Sequence, residues 1–213
     1  MEKLITNILA ETIENTIDNT IENVASTVLI EAIKGFPVVN AVKGTIDNYQ
    51  SYQQAKRANQ FLQFIQECEY HEAGRILKIF STHSNTEMGK EVLKALESSY
   101  IELHSQMIAR ITILYDSKAL TRIKFLRYTH TIPKLSSFLL TQIQVAYRFH
   151  LERKNNEDYR IFNRELEGAG EELTSYGFFK SVPTAGSGDF YQGNDELEYF
   201  HEHIMKNKYD KTD

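Results

Sequence analysis

The first 34 residues, MEKLITNILAETIENTIDNTIENVASTVLIEAIK, carry the strongest periodic signal in the chain. Apolar side chains recur there every three or four residues, which places them on one stripe of an α-helix. Because the stripe advances by nearly four residues each time, it drifts around the helix and suits a curved groove better than a long coiled coil. We predict a long amphipathic helix that binds a partner. Its predicted partner-binding residues are Ile5, Leu9, Ile13, Ile17, Ile21, Val24 and Val28.

A four-residue quasi-repeat, TIEN, TIDN and TIEN, fills positions 12–23 of this stripe. Its β-branched and Asn residues have weak intrinsic helix propensity, so the helix needs a partner to be stable. Three partners fit this pattern: the rest of the chain, a second copy or another protein, and the surface of a membrane.

The segment that follows, residues 24–46, is apolar and rich in small residues. Gly35-Phe36-Pro37 is predicted to end the first helix, since Gly suits a helix C-terminus and Pro disfavours helical geometry just before it. Glu31 and Lys34 would each cost about 2.5–3.5 kcal/mol near a bilayer centre. We therefore predict a tight helical hairpin in a soluble core and keep a peripheral membrane contact as the alternative.

The middle of the chain reads as a helical bundle. Three Pro and ten Gly in 213 residues provide too few turns for a many-stranded β fold. Helical patterns run through residues 61–65, 75–80, 87–114, 117–131 and 134–151, and a polar stretch at 153–158 is predicted to be a loop.

The last quarter has a mixed pattern. A short helix at 171–176 is closed by Gly177, strands are predicted at 178–182 and 190–192, and a helix at 195–205 places Leu197, Phe200 and Ile204 on one face. Helix, hairpin and helix in this order resemble the second half of a winged-helix module. The predicted class is mainly α, with an N-terminal amphipathic helix at 1–37, a helical bundle at 38–165 and a winged-helix-like α+β element at 166–213.

A wider resemblance rests on the amphipathic N-terminus, the FPVV break at 36–39, the helical middle and the LTSYGFF motif at 173–179. Together these look like a loose group of bacterial proteins, some of which occur in phage-defence and mobile-element contexts. The resemblance implies an accessory role in such a system and assigns no site residue.

Catalytic and cofactor motifs are absent from the sequence. It contains no Walker A, G-x-G-x-x-G or G-x-S-x-G pattern, and the G-S-G at 186–188 falls in the predicted hairpin turn. Glu198, His201 and Glu202 share a helical face and are the best local metal candidate, which we interpret instead as a solvated polar face. Cys68 lies between Glu67 and Glu69, whose charges disfavour the thiolate. We expect no enzyme activity, cofactor or metal.

Charge and cysteine content point to the cytoplasm. The N-terminus carries acids where a signal peptide would have a basic flank, and one Cys cannot form an internal disulfide.

Cations cluster between Asp116 and Glu152, a stretch without any acidic residue. Tyr128 and Tyr147 would stack on bases there if they were exposed. With a net charge of −5, and six acids against one Lys in residues 1–31, we favour pairing of these cations with the protein's own acidic surfaces. The candidate anion-binding residues are Lys118, Arg122, Lys124, Arg127, Lys134 and Arg148.

Three functions follow in order of preference. The first is a non-catalytic interaction or regulatory protein that self-associates or docks through its N-terminal helix. The second is a membrane-active effector that uses the N-terminal hairpin, and the third is a nucleic-acid-binding protein that uses residues 118–148.

Overall fold

The structure, a computed structural model, describes residues 48–71, 74–80, 86–156, 159–182 and 189–206. These residues form eight α-helices and a small antiparallel sheet of three strands, so the prediction of a mainly α protein is confirmed. The predicted stripe at 5–28 and the apolar segment at 24–46 lie outside the described residues. No helix in the described ranges has both the length and the apolar character needed to cross a membrane. The chain divides between Thr129 and His130 into two compact units.

The described part of the first unit is helical. Its elements are α1 at Asn48–His71, α2 at Arg75–Phe80, α3 at Thr86–Ser98, α4 at Glu102–Asp116, and α5 at Arg122–Thr131, whose last two residues lie beyond the unit boundary.

Helices α1 and α4 form the core of the first unit and run parallel to each other. The Asn59 side chain donates to Glu102 at 3.3 Å near one end of the pair. Arg110 Nε donates to Glu67 at 2.7 Å near the other end, so partners advance in the same direction along both helices. Because α1 and α4 point in the same direction, the chain between them must run back from the end of α1 to the level at which the pair begins. Helices α2 and α3 lie in that connection and pack against α1.

The single helix predicted at 87–114 is wrong, because the structure breaks it into α3 and α4. Ser99 Oγ donates to the Ala95 carbonyl, and Ile101 adopts an extended conformation with φ −118° and ψ 139°. Serine side chains compete with the backbone for hydrogen bonds and so weaken a helix locally. The sequence Ser98-Ser99-Tyr100 therefore ends α3.

The second unit begins with helical elements. A 3-10 turn at Ile132–Lys134 leads into α6 at Ser137–Arg153. Ser136 accepts a hydrogen bond from Leu139 N at 3.2 Å and so caps α6. The helix thus starts three residues later than predicted, since Pro133 lies in the 3-10 turn instead of the first turn of the helix.

The rest of the second unit combines short helices with the sheet. The elements in order are β1 at Ile161–Phe162, a 3-10 turn at Asn163–Leu166, α7 at Gly170–Ser175, β2 at Phe179–Val182, β3 at Phe190–Gly193 and α8 at Asp195–Phe200. A π-helical turn at His201–Met205 extends α8. The predicted short helix, hairpin strands and last helix are all present.

The sheet has strand order β1-β3-β2 and is antiparallel throughout. Phe190 pairs with Phe162 on one side and with Val182 on the other. Leu197, Phe200 and Ile204 are fully buried, which confirms the predicted apolar face of the last helix. Gly177 closes α7 with φ +85°, a conformation that suits glycine and few other residues.

Candidate functional site

The predicted basic region begins with Lys118, which lies outside any helix. Helix α4 continues to Asp116, and Ser117 N donates to the Ile113 carbonyl at 3.0 Å, so Ser117 ends α4 and does not begin α5. Lys118 then adopts a left-handed φ of +62°. The predicted helix at 117–131 therefore begins too early, since the structure starts it at Arg122.

Helix α5 presents an apolar pair to solvent between two arginines. Its N-terminus is held by Thr121, whose Oγ1 accepts from Lys124 N at 3.3 Å. Phe125 and Tyr128 are buried on the inner side of the helix. On the outer side Ile123 is 81% exposed and Leu126 is 39% exposed. We call this surface, with its neighbours Arg122 and Arg127, the α5 face.

The two arginines of the α5 face differ in their surroundings. The Arg127 guanidinium lies 5.2 Å from the ring centroid of Tyr128. Arg122 is close enough to Glu87 to help lower the pKa of that carboxyl, although the main cause is the hydrogen bond from Lys90. Arg122 thus interacts with an acidic residue of its own unit. This agrees with the expectation that these cations pair with acidic residues of the same protein.

Neither predicted base-stacking tyrosine is exposed. Tyr128 is 1% exposed within the first unit. Tyr147, in the second unit, stacks on His201 with ring centroids 3.8 Å apart, and its hydroxyl donates to Glu202. Both tyrosine rings have large apolar faces. The free energy gained by burying these faces outweighs the free energy of keeping the hydroxyl in water. The proposed stacking on these two tyrosines is therefore wrong.

The remaining candidate anion-binding residues belong to the second unit. Lys134 is exposed, and its Nζ lies 2.5 Å from His130 Nε2. Arg148 is exposed, with its guanidinium 5.9 Å from the Phe149 ring centroid. Lys124 in the first unit is half-buried on the flank of α5.

A buried histidine links α6, β3 and α8 at the centre of the second unit. The Tyr159 hydroxyl donates to the Gly193 carbonyl at 3.1 Å, so His150 Nδ1, at 2.6 Å, must donate to the hydroxyl oxygen. His150 Nε2 lies 3.4 Å from Glu198, which also contacts Lys154. The arrangement fixes the imidazole and holds three elements together. Sequence reasoning missed it because its members are far apart in the chain and form no local motif.

The polar face of the last helix contacts α6 and is partly solvated, since the side chains of Glu198 and Glu202 are 41% and 34% exposed. Glu198 contacts His150 and Lys154, whereas His201 and Glu202 contact Tyr147. Glu198 thus has different partners from His201 and Glu202, which contact Tyr147 and each other. The described parts of the chain contain no group of three metal-ligand side chains.

Burial of His201 predicts a pH-dependent stability. Burial lowers the pKa of His201, more than the neighbouring Glu202 raises it, so the folded state resists protonation. Because the unfolded chain gains this proton near pH 6.5, stability is full above that pH and falls as the pH drops towards the folded pKa. The hydrogen bond from Tyr147 lowers the pKa of Glu202, so a further loss follows below its ordinary value of 4.5.

The His201→Phe variant keeps the stacked ring and removes the titrating group. We expect its melting temperature to fall less than that of the wild type between about pH 7.5 and about pH 5.5. Equal falls measured by circular dichroism would contradict this role of His201.

The outward side of the sheet carries a row of apolar side chains. Directly paired residues share one side of an antiparallel sheet, so Phe162, Phe190 and Val182 form a row. Phe162 is 38% exposed, and its ring centroid lies 4.7 Å from that of Phe190. Two residues along β2, Lys180 lies on the same side and is exposed.

Two arginines flank the aromatic pair. The Arg164 guanidinium is 4.8 Å from the Phe162 ring centroid, and that of Arg160 is 5.6 Å from the Phe190 ring centroid. Beside them, an open cavity of about 590 Å³ includes Tyr159, Arg160 and Phe162 in its lining. We call Phe162, Phe190, Arg160, Arg164 and Lys180 the sheet face. Sequence reasoning missed it because its parts come from three strands and a turn.

Cys68 is fully buried in the first unit, as its apolar surroundings in α1 suggest. Burial raises the pKa of the thiol well above its ordinary value, and Glu69 and Glu67 raise it further. The expected effect of these two acids on the thiolate is thus present in the structure, and Cys68 is a poor nucleophile.

No protein-family model, curated protein or solved structure matches this chain.

Proposed function

We propose that this is a non-catalytic interaction protein that self-associates, with the N-terminal stripe of one copy docking on the α5 face of another. The observation that carries the proposal is the exposure of Ile123, at 81%, beside Leu126 on the same helical surface. Burying an aliphatic side chain of this size contributes about 1.5–3 kcal/mol, so a partner that covers Ile123 gains binding free energy of that order.

Charge complementarity supports the N-terminal stripe as the partner of the α5 face. Residues 1–31 combine an apolar stripe with six acidic residues and one Lys. Arg122 and Arg127 border the apolar pair of the α5 face, so an acidic amphipathic helix fits both its shape and its charge. Docking would give the stripe the partner that its weak helix propensity requires.

The second unit, in our proposal, is a winged-helix-like module that supports this role. The order of its elements supports the assignment: helix α6, strand β1, a 3-10 turn, helix α7, and the hairpin β2-β3, with β3 at the centre of the sheet. Helix α7 exposes Glu171 and Glu172 to solvent. Because these carboxylates would repel DNA phosphates, α7 is unsuited to reading duplex DNA.

The test is the mass of the full-length protein by light scattering. We expect a defined oligomer for the wild type and a monomer for Ile123→Asp, since a charge on the α5 face cannot be buried without a partner. Ile13→Asp in the stripe should have the same effect. The matched control is Leu151→Asp, whose side chain is 40% exposed on α6 and should leave the oligomer intact.

Two results would overturn the proposal. A monomeric wild type at high protein concentration removes the interface. Flotation of the monomer with anionic liposomes, lost in Ile13→Asp, would assign the stripe to a membrane surface instead.

A further inference from the structure

We infer that the sheet face of the second unit binds single-stranded nucleic acid, with Phe162 and Phe190 stacking on bases and Arg160, Arg164 and Lys180 contacting phosphates. The inference concerns a surface different from the α5 face and does not depend on self-association. It also differs from a site at residues 118–148, because none of those residues belongs to the sheet face.

The cations of the sheet face form no salt bridge with a described residue, although Arg164 helps to lower the pKa of the Glu165 carboxyl, after the hydrogen bond from Arg153 as the main cause. None of Arg160, Arg164 and Lys180 forms an ion pair with any residue in the described ranges. Arg153 nearby shows the contrast, since it pairs with Glu165 at 3.1 Å. Three cations without a salt bridge to any described residue surround an apolar surface, and they form a local positive site on a protein whose net charge is −5.

Two carboxylates near the sheet face are turned away or occupied, and a third, Glu152, lines the cavity beside Arg160. Asp189 precedes Phe190, and strand alternation places it on the opposite side with Tyr191. It is close enough to Tyr191 to help raise the pKa of that hydroxyl, after burial as the main cause. Glu165 accepts hydrogen bonds from Arg153 and from Phe162 N. The charge of the sheet face is therefore available to an anionic ligand.

The planar groups of the sheet face indicate which class of ligand it binds. Exposed Phe162 lies against Phe190, and the Arg164 guanidinium covers part of the Phe162 ring. Nucleic-acid bases stack on aromatic rings and on guanidinium planes alike. Alternating aromatic and cationic groups thus match a strand whose bases and phosphates are both accessible.

A single strand fits this surface better than a duplex or an acidic peptide. In a duplex the base faces are stacked on each other and cannot reach the rings. An acidic peptide would use the cations, but its carboxylate side chains offer no ring to stack on the phenylalanines. Strand β1 is two residues long, so it provides little edge for pairing with an added peptide strand.

The experiment measures binding of a fluorescein-labelled oligouridine of about 12 nucleotides to the full-length protein by anisotropy, at several salt concentrations. Three phosphate contacts predict a slope of about −2 for log K against log salt. Phe162→Ala should weaken binding about 5- to 150-fold with an unchanged slope, because a ring stacks and carries no charge. Arg160→Gln should weaken binding and reduce the steepness of the slope by about 0.7.

Arg148→Gln is the matched control, an exposed arginine of the same unit outside the sheet face, and should bind like the wild type. Circular dichroism checks that each surface variant is folded. The inference is overturned by absence of binding at low salt, or by a loss of binding in Arg148→Gln or Arg122→Gln equal to that in Arg160→Gln. Competition by polyglutamate that is as strong as by unlabelled oligouridine would assign the face to an acidic protein instead.

Discussion

Arg110→Met should lower the free energy of unfolding by about 3–5 kcal/mol, the usual cost of removing one partner from a buried ion pair. Arg110 Nε donates to Glu67 at 2.7 Å, and both side chains are 7% exposed. Met fills a volume similar to the aliphatic part of Arg, so the expected loss comes mainly from the buried Glu67 carboxylate, which loses this ion pair. Urea denaturation followed by circular dichroism measures it.

The double variant Glu67→Met, Arg110→Met is the control for this interpretation. With both charges gone, burial of two apolar side chains replaces a pair whose attraction is offset by the cost of removing it from water. We expect the double variant to be more stable than Arg110→Met alone. A double variant that is less stable than the single one would show that the helix pair depends on the ions themselves.

Gly170→Ala should destabilise the second unit by about 1–3 kcal/mol, the usual range for overpacking a core. A Cβ at this position would overlap the ring of Tyr191, which is 6% exposed and packed near Phe179. Because the ring is buried against Phe179, we expect the strand or helix α7 to shift. The same urea titration gives the change.

Gly89→Ala is the matched control for Gly170→Ala, with the opposite expected sign. In α3 a Cβ at Gly89 would lie 3.6 Å from a Phe80 ring carbon, an ordinary contact. Alanine is favoured over glycine inside a helix by about 0.5–1 kcal/mol, so this variant should be more stable. If Gly170→Ala is neutral while Gly89→Ala stabilises, close packing of Tyr191 on α7 is not a constraint.

Local patterns predicted the elements that local chemistry determines. The helix at 75–80 was predicted with the bounds that the structure gives, Arg75–Phe80. The turn signal of Gly177 and the spacing of Leu197, Phe200 and Ile204 located the strand start and the buried side of α8. In these cases a backbone preference or a helical period acts on neighbouring residues alone.

Tertiary contacts decided what sequence reasoning missed. The helix break at Ser99 does not interrupt the spacing of apolar residues along 87–114. The apolar spacing therefore predicted one helix where the structure has two. Tyr147 and Glu202 are 55 positions apart, and only the fold brings them together. The sheet face likewise depends on register, since Phe162 and Phe190 become neighbours through strand pairing. Of the candidate cations, Arg122 and Arg127 border the α5 face, whereas Lys118 lies in a turn.

The parallel arrangement of α1 and α4 bears on the order of folding. The pairs Asn59 with Glu102 and Glu67 with Arg110 each span 43 positions, so α1 cannot join α4 until that length of chain has closed into a loop. Closing this loop costs conformational entropy before any contact between α1 and α4 contributes to stability. Formation of α2 and α3 reduces that cost, because it shortens the flexible part of the loop. We expect α3 and α4, separated by three residues, to associate early and α1 to join late. The rate of folding of the first unit should then depend on its connecting helices as much as on its core.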